Sequence, residues 1–305
     1  MRAVWSFWTK PFLAERHSSW ASELHHWLAW GLSLAAASNH YPETVLVTDD
    51  AGARLLVDTL ELPFAHVSTG LNSLGNEDPG WWSLGKMEAY RLQQEPFVHI
   101  DTDAFLWKPL RPDLEAADVF AQNPEPVVYG RSCYHPEDFE SALGRPDSGW
   151  MPAEWDWYRQ ASLGHGRAEC CGLFGGNRLD FIHHYVSQAM RLLRHRHNVR
   201  AWRNFADKDG NMILLEQYLL TACLEYHRSC ADSSFHGIDI RYVFPSIDEA
   251  YTAESASEAG FTHLAAGAKR DAEVARDLQD ATERELPEYF ARCVDMVRTP
   301  EAVAC

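Results

Sequence analysis

The sequence predicts an α/β protein with a mostly parallel central sheet flanked by helices. Three observations carry that prediction. Short apolar runs rich in β-branched and aromatic residues, AVWSFW at 3–8, TVLVT at 44–48 and PFVHI at 96–100, are spaced along the chain. Stretches with helical spacing of apolar residues separate the earlier runs, which is the alternation of a parallel sheet. The run PFVHI leads directly into Asp101-Thr102-Asp103, and the C-terminal end of a strand is where open α/β sheets bind ligands.

Each element follows in order. Residues 3–8 read as a buried strand stopped by Lys10-Pro11. Ser18 or Ser19 caps a helix whose apolar positions are Leu24, Trp27, Leu28, Leu32 and Ala35. A strand at 44–48 closes on Asp49-Asp50, a helix covers 51–60, and a short strand covers 63–67. NSLGNEDPG at 72–80 has the composition of a loop. A helix at 83–94 precedes the strand at 96–100, and short strands are expected at 118–121 and 127–130. Residues 134–168 are rich in Pro, Gly, Trp and His without clear periodicity, and read as a functional excursion outside the core. A strand at 172–176, helices at 178–197 and 210–227, and strands at 238–244 and 261–265 follow. A charged helix is expected at 271–298. No Gly/Ser/Pro-rich linker divides the chain, so residues 1–305 read as one domain.

Composition excludes several functions. The chain has 27 Lys and Arg against 44 Asp and Glu, a formal charge of −17. Such a surface repels nucleic-acid phosphates and anionic membranes. No apolar run reaches the ~18 residues of a membrane span, so no membrane insertion is expected, and the opening residues do not read as a signal peptide. The seven cysteines are odd in number and lack the paired spacing of a zinc site. They read as reduced thiols of a cytoplasmic protein. None has a paired base in view. The 12 tryptophans are numerous, and Trp81, Trp82, Trp150, Trp155 and Trp157 fall in loop-like contexts that suit an acceptor wall as well as core packing.

Asp101 and Asp103 are the strongest chemical signal. Residues i and i+2 of an extended chain point the same way, so both carboxylates can face one cation. Hard oxygen ligands suit Mg²⁺ or Mn²⁺. Other polar residues carry weaker signals. Glu216 and Gln217 sit in the apolar helix segment MILLEQYLL, where polar groups are costly without partners. Asp207, Asp209 and Glu169 are further acidic candidates. His99 alternates within a buried strand and reads as a core histidine. RHRH at 194–197 is a basic patch at a helix end, suited to the helix dipole.

On these residues the sequence resembles the GT-A-fold glycosyltransferases with an Asp-x-Asp motif. The likeness runs through AVWSFWTKP, the lysine-bearing KMEAY at 86–90, PFVHIDTDAFLWKPL, GLFGGN ending at Asn177, and THLAAGAK with His263 and Lys269. Uncharacterised bacterial GT-A-like proteins share the WSFWTKP start and the HIDTD core. The resemblance implies a GT-A-like, Rossmann-related fold and a nucleotide-sugar donor, a UDP-sugar foremost. It places Trp8 and Thr9 at the base, Lys86 at a phosphate or ribose, and Asp101 and Asp103 on the metal and diphosphate. It places Gly175, Gly176 and Asn177 beside the sugar, and Glu216 at the reacting sugar. Retaining enzymes of the glycogenin kind carry a late His-x-x-Gly-x-x-Lys whose His binds metal and whose Lys holds the diphosphate. That implies His263 as a metal ligand beside Asp101 and Asp103, with Lys269 on the diphosphate, and it points toward retention. Here the glycine is Gly267, one place late, and Arg270-Asp271 replace the usual Pro-Trp. The expected activity is transfer of a sugar to an unknown acceptor (small molecule, glycan or peptide), with Mn²⁺ or Mg²⁺ as cofactor and Asp103 and Glu216 as catalytic residues. Two alternatives are a nucleotidyltransferase acting on a sugar phosphate and a non-catalytic nucleotide-sugar-binding protein. The first needs a glycine-rich phosphate loop after the opening strand, where this chain has TKPF.

Overall fold

Seven strands build the central sheet of the computed structural model, which describes residues 1–14, 19–145 and 148–299. They are β1 (Arg2–Phe7), β2 (Thr44–Thr48), β3 (His66–Ser68), β4 (Phe97–Ile100), β6 (Val119–Val128), β7 (His165–Gly176) and β8 (Ile240–Tyr242). Their order is β3-β2-β1-β4-β7-β6-β8. β7 alone runs against the other six. Two further strands, β5 (Ala104–Leu106) and β9 (Phe261–His263), pair antiparallel beside the main sheet.

The central strands β1, β2 and β4 are largely buried on both faces, which explains their unbroken apolar runs. In β1, Val4 enters one core layer while Ala3, Trp5 and Phe7 enter the other, as the two-residue period of a strand requires. All four residues of β4 are buried. Each fully buried side chain the size of Leu or Phe contributes about 1.5–3 kcal/mol, so β4 is fixed more firmly than any turn it carries.

Several elements differ from expectation. The helix Thr9–Ala14 follows β1 directly, because Pro11 falls in its first turn, where a missing N–H costs nothing. The next helix is Glu23–Ser38 with Ser22 at its N-cap, so Ser19 precedes the cap and Ser18 lies outside the described residues. The two short strands expected at 118–121 and 127–130 are one strand, β6, with a register shift between Ala121 and Asn123. Residues 134–168 are not a loop excursion: they contain the helices Pro136–Ala142 and Ala153–Ala161 and the start of β7. Tyr134, Phe139, Leu143, Met151, Trp155 and Tyr158 from this stretch are buried in the core. Helices this short show too few turns for a period to be read. The C-terminal helix is two, Ala272–Glu285 and Pro287–Arg298, broken where Pro287 has no N–H to donate. No helix of the described residues is long and apolar enough to cross a membrane. The six described cysteines are free.

Candidate functional site

The chain turns sharply where β4 ends, since the Ala104 N–H donates to the Asp101 carbonyl at 2.9 Å. This turn presents Asp101 and Asp103 on the C-terminal edge of the sheet. β5 then leaves the turn and pairs with β9 so that Ala104 lies opposite His263. The Leu264 N–H closes the arrangement by donating to the Asp103 carbonyl at 2.8 Å. A pairing over 150 residues apart in sequence thus sets His263 Nε2 3.3 Å from Asp103 Oδ1. Ligand atoms of Asp101, Asp103 and His263 all lie within 4.8 Å of one another.

Two lysines bracket this triad. Lys269 Nζ is 2.5 Å from Asp103 Oδ2. Lys86, on the helix Leu84–Arg91, donates to Asp101 Oδ2 at 2.9 Å and to the Cys171 carbonyl at 3.2 Å. Its Nζ also meets Glu216 Oε1 at 2.5 Å. The order of charges across the site is therefore Glu216, Lys86, Asp101, Asp103, Lys269.

Burial and these charges set the ionisation. Burial pushes the Asp103 carboxyl up, but Lys269 and His263 outweigh it and hold the group well below the usual carboxylate range. Asp101 moves the other way: burial raises it, Lys86 lowers it and Asp103 raises it again, for a net rise. Burial also raises Glu216 despite Lys86. Burial lowers Lys86, yet Asp101 and Glu216 reverse that and keep it firmly protonated.

Glu216 is fully buried and sits in a π-helical turn, Leu214–Tyr218, between the helices Lys208–Ile213 and Leu219–Ser229. The expected single helix at 210–227 is thus interrupted where its acid sits, and π-turns within helices are frequent at functional sites.

All these groups open on one cleft of about 990 Å³. Trp8, Lys86, Asp101, Asp103, Glu216, His263 and Lys269 line it. Thr9 does not: its N–H and hydroxyl both donate to Asp49 Oδ2, at 3.0 and 2.7 Å. Gly175, Gly176 and Asn177 lie toward the opposite end of the sheet from the cleft. Gly175 faces Val98 and Gly176 faces Phe97 across the β4–β7 pairing. A Cβ on Gly175 would stand 1.9 Å from the Phe97 carbonyl oxygen. Asn177 donates its side-chain amide to the carbonyls of Glu115 and Ala117. The glycine at the cleft is Gly172, where an added Cβ would stand 2.4 Å from the His263 ring.

Other candidates divide between cleft and core. Asp209, Gln217, His99 and Trp82 line the cleft. Asp207 accepts from the Gly210 N–H as a helix cap. Glu169 is fully buried, bound to Arg167 at 2.8 Å and to Thr221 at 3.1 Å. Trp81 and Trp155 are core residues, and Trp150 packs against His195 and Arg191. Two groups had no motif to mark them. Trp20 faces the cleft with Lys269 Nζ 5.7 Å from its ring centroid. Gln122 Oε1 is 2.7 Å from His263 Nδ1, which fixes that ring and leaves Nε2 toward Asp103.

The donor set of two carboxylates and one imidazole fits a divalent cation. No curated protein matches the sequence. A family model does match: it covers residues 1–296, every cleft residue named above included, and the chain therefore belongs to the Family of unknown function (DUF6734).

Proposed function

We propose that the protein is a metal-dependent glycosyltransferase that moves a sugar from a nucleotide-sugar donor, of the UDP-sugar class, to an acceptor. One observation carries this reading: Asp101, Asp103 and His263 converge at the end of β4, with Lys86 and Lys269 on either side, inside a cleft large enough for a nucleotide-sugar. A fit to the resembled motif adds support. Its glycine corresponds to position 266, and Ala266 has a φ of +48°, a left-handed conformation that glycine adopts most readily. The backbone thus keeps at Ala266 the shape that the displaced Gly267 does not supply.

Asp101, Asp103 and His263 would hold the cation, Mn²⁺ or Mg²⁺, which supplies Lewis-acid stabilisation of a leaving diphosphate. Lys269 and Lys86 are the two ammonium groups within reach of that charge. In the free protein they neutralise Asp103 and Asp101. With their carboxylate partners engaged as ligands, Lys86 and Lys269 would be available to phosphate oxygens. Breaking the bond from the anomeric carbon to the diphosphate leaves positive charge on the sugar. Glu216, beyond Lys86 and in the same cleft, is the carboxylate placed to stabilise it, in keeping with a retaining outcome. Trp8 and Trp20 offer ring faces to the base or sugar.

Donor hydrolysis tests the reading. Wild-type protein with Mn²⁺ is expected to release UDP slowly from a UDP-sugar. Glu216→Gln should retain UDP binding while hydrolysis falls roughly 10²-fold or more. Full hydrolysis by both Glu216→Gln and Asp103→Ala would refute the assigned roles.

A further inference from the structure

Away from the cleft, three helices bring four metal-binding side chains to one point. Glu154 lies in the first turn of Ala153–Ala161, and His184 lies on the helix Leu179–Arg194. Cys223 and His227 stand four apart on Leu219–Ser229, so they share one helix face. We propose that Glu154, His184, Cys223 and His227 form a second metal centre, a tetrahedral structural Zn²⁺ site.

The distances carry the argument. His184 Nε2 is 2.8 Å from Glu154 Oε1, and His227 Nε2 is 3.4 Å from the same oxygen. The two Nε2 atoms are 3.0 Å apart. Zinc–nitrogen bonds of about 2.0–2.1 Å give a tetrahedral edge of about 3.3 Å between ligand atoms. The three contacts therefore form one face of such a tetrahedron with little rearrangement. Cys223 Sγ lies within 4.8 Å of the Glu154 and His184 ligand atoms and supplies the fourth corner. With both rings in the tautomer protonated at Nδ1, the two Nε2 lone pairs point to the same place and can bind one cation.

The surroundings fit. His227 Nδ1 lies 2.7 Å from Ser233 Oγ, a partner that fixes the ring and leaves Nε2 for the metal. Gln188 Nε2 donates to Glu154 Oε1 at 3.3 Å. The Phe235 ring packs against both histidines. Glu154, Cys223 and His227 are buried. Zn²⁺ with one carboxylate and one thiolate is net neutral, which avoids the cost of an uncompensated buried charge. Binding releases the Cys223 proton to solvent, and both histidines bind as neutral imidazoles with their proton on Nδ1. None of the four residues lines the cleft, so this site is independent of the proposed transfer chemistry. Its effect would be to clip the Ala153–Ala161 helix to the two longer helices.

The test uses full-length protein, Asp103→Ala to silence the first site, and two site variants, Cys223→Ser and His227→Gln. Elemental analysis of wild type and Asp103→Ala should find one zinc per chain. Chelation should lower the thermal midpoint by on the order of 5 °C. Co²⁺ added to the chelated protein should give a thiolate charge-transfer band in the near ultraviolet. Both site variants should lose that band and more than about tenfold in zinc affinity. A wild-type protein that binds no zinc, shows no thiolate–Co²⁺ band and keeps its midpoint under chelation would overturn the proposal. So would undiminished zinc affinity in both variants. The wild-type measurements decide the matter if the variants fail to fold.

Discussion

Lys86 binds Asp101, Glu216 and the Cys171 carbonyl at once, and the position has no slack. Removing one partner of a buried ion pair costs about 3–5 kcal/mol, because a charge is left uncompensated. Lys86→Met should therefore destabilise the free protein by about 3 kcal/mol in urea denaturation, with added Mn²⁺ recovering part of the loss. A change below about 1 kcal/mol would show that the pair is not formed. His26 makes a pH-dependent contribution of the opposite kind. Its Nε2 is buried without a hydrogen-bond partner among the described residues, and burial, with the Lys269 charge, pulls its pKa down from 6.5 to about 3. The unfolded chain binds this proton first as pH falls. Stability should drop from about pH 6.5 down to about pH 3, by up to about 1.4 kcal/mol per pH unit. His26→Gln should lack that component in urea midpoints followed against pH. Ala266 gives a third test. Its positive φ costs roughly 1 kcal/mol without glycine's freedom, so Ala266→Gly should raise stability by about that amount and leave cation binding unchanged. Asp101 and Asp103 are legible in the sequence because two carboxylates one residue apart at the end of a buried strand can face one cation. Gly175 and Gly176 are not, because glycine marks a close approach without saying what approaches. Here it is the neighbouring strands.

At the scale of elements, β4 and β7 hold the site. Gly175 allows β7 to lie against Phe97, where an added Cβ would stand 1.9 Å from a backbone oxygen. Gly175→Ala should force the two strands apart and cost on the order of 3 kcal/mol or more, read as a loss of soluble protein or a lowered thermal midpoint. A neutral result would mean that the β4–β7 register differs from the one described. The alternation of strand and helix through residue 100 is legible because β1, β2 and β4 are largely buried and each reads as one apolar run, whereas β3 is mostly exposed. Residues 134–168 are not legible in that way. Their helices are short, and their core aromatics Phe139 and Trp155 stand between acidic residues and Tyr158 beside Arg159. The histidine of β9 is different again: its partner strand β5 is three residues long, too short for any pattern, so only the likeness of THLAAGAK to a known motif brings His263 to Asp103.

For the whole molecule, a charge of −17 disfavours general polyanion binding but leaves room for one phosphate ligand that enters with a cation. Charge also sets how that entry depends on salt. With Lys86 and Lys269 already engaged by carboxylates, the free cleft holds no surplus cation among these residues, and a diphosphate alone is repelled. The tryptophans, a bare count in the sequence, divide between a core share, including Trp5, Trp27, Trp30 and Trp155, and a cleft share, Trp8, Trp20 and Trp82. The cleft share is where an acceptor or base would be met, and the sequence alone does not separate the two groups because core tryptophans such as Trp5, Trp27 and Trp155 also stand beside polar residues. The central claim is that a divalent cation on Asp101, Asp103 and His263 admits a nucleotide diphosphate. Calorimetric titration of UDP into the protein with and without Mn²⁺ tests it most directly. Binding is expected with Mn²⁺, negligible binding without it, and loss of the Mn²⁺-dependent part in Asp103→Ala. Equal affinity with and without Mn²⁺, or no UDP, GDP or CDP binding under either condition, would contradict it.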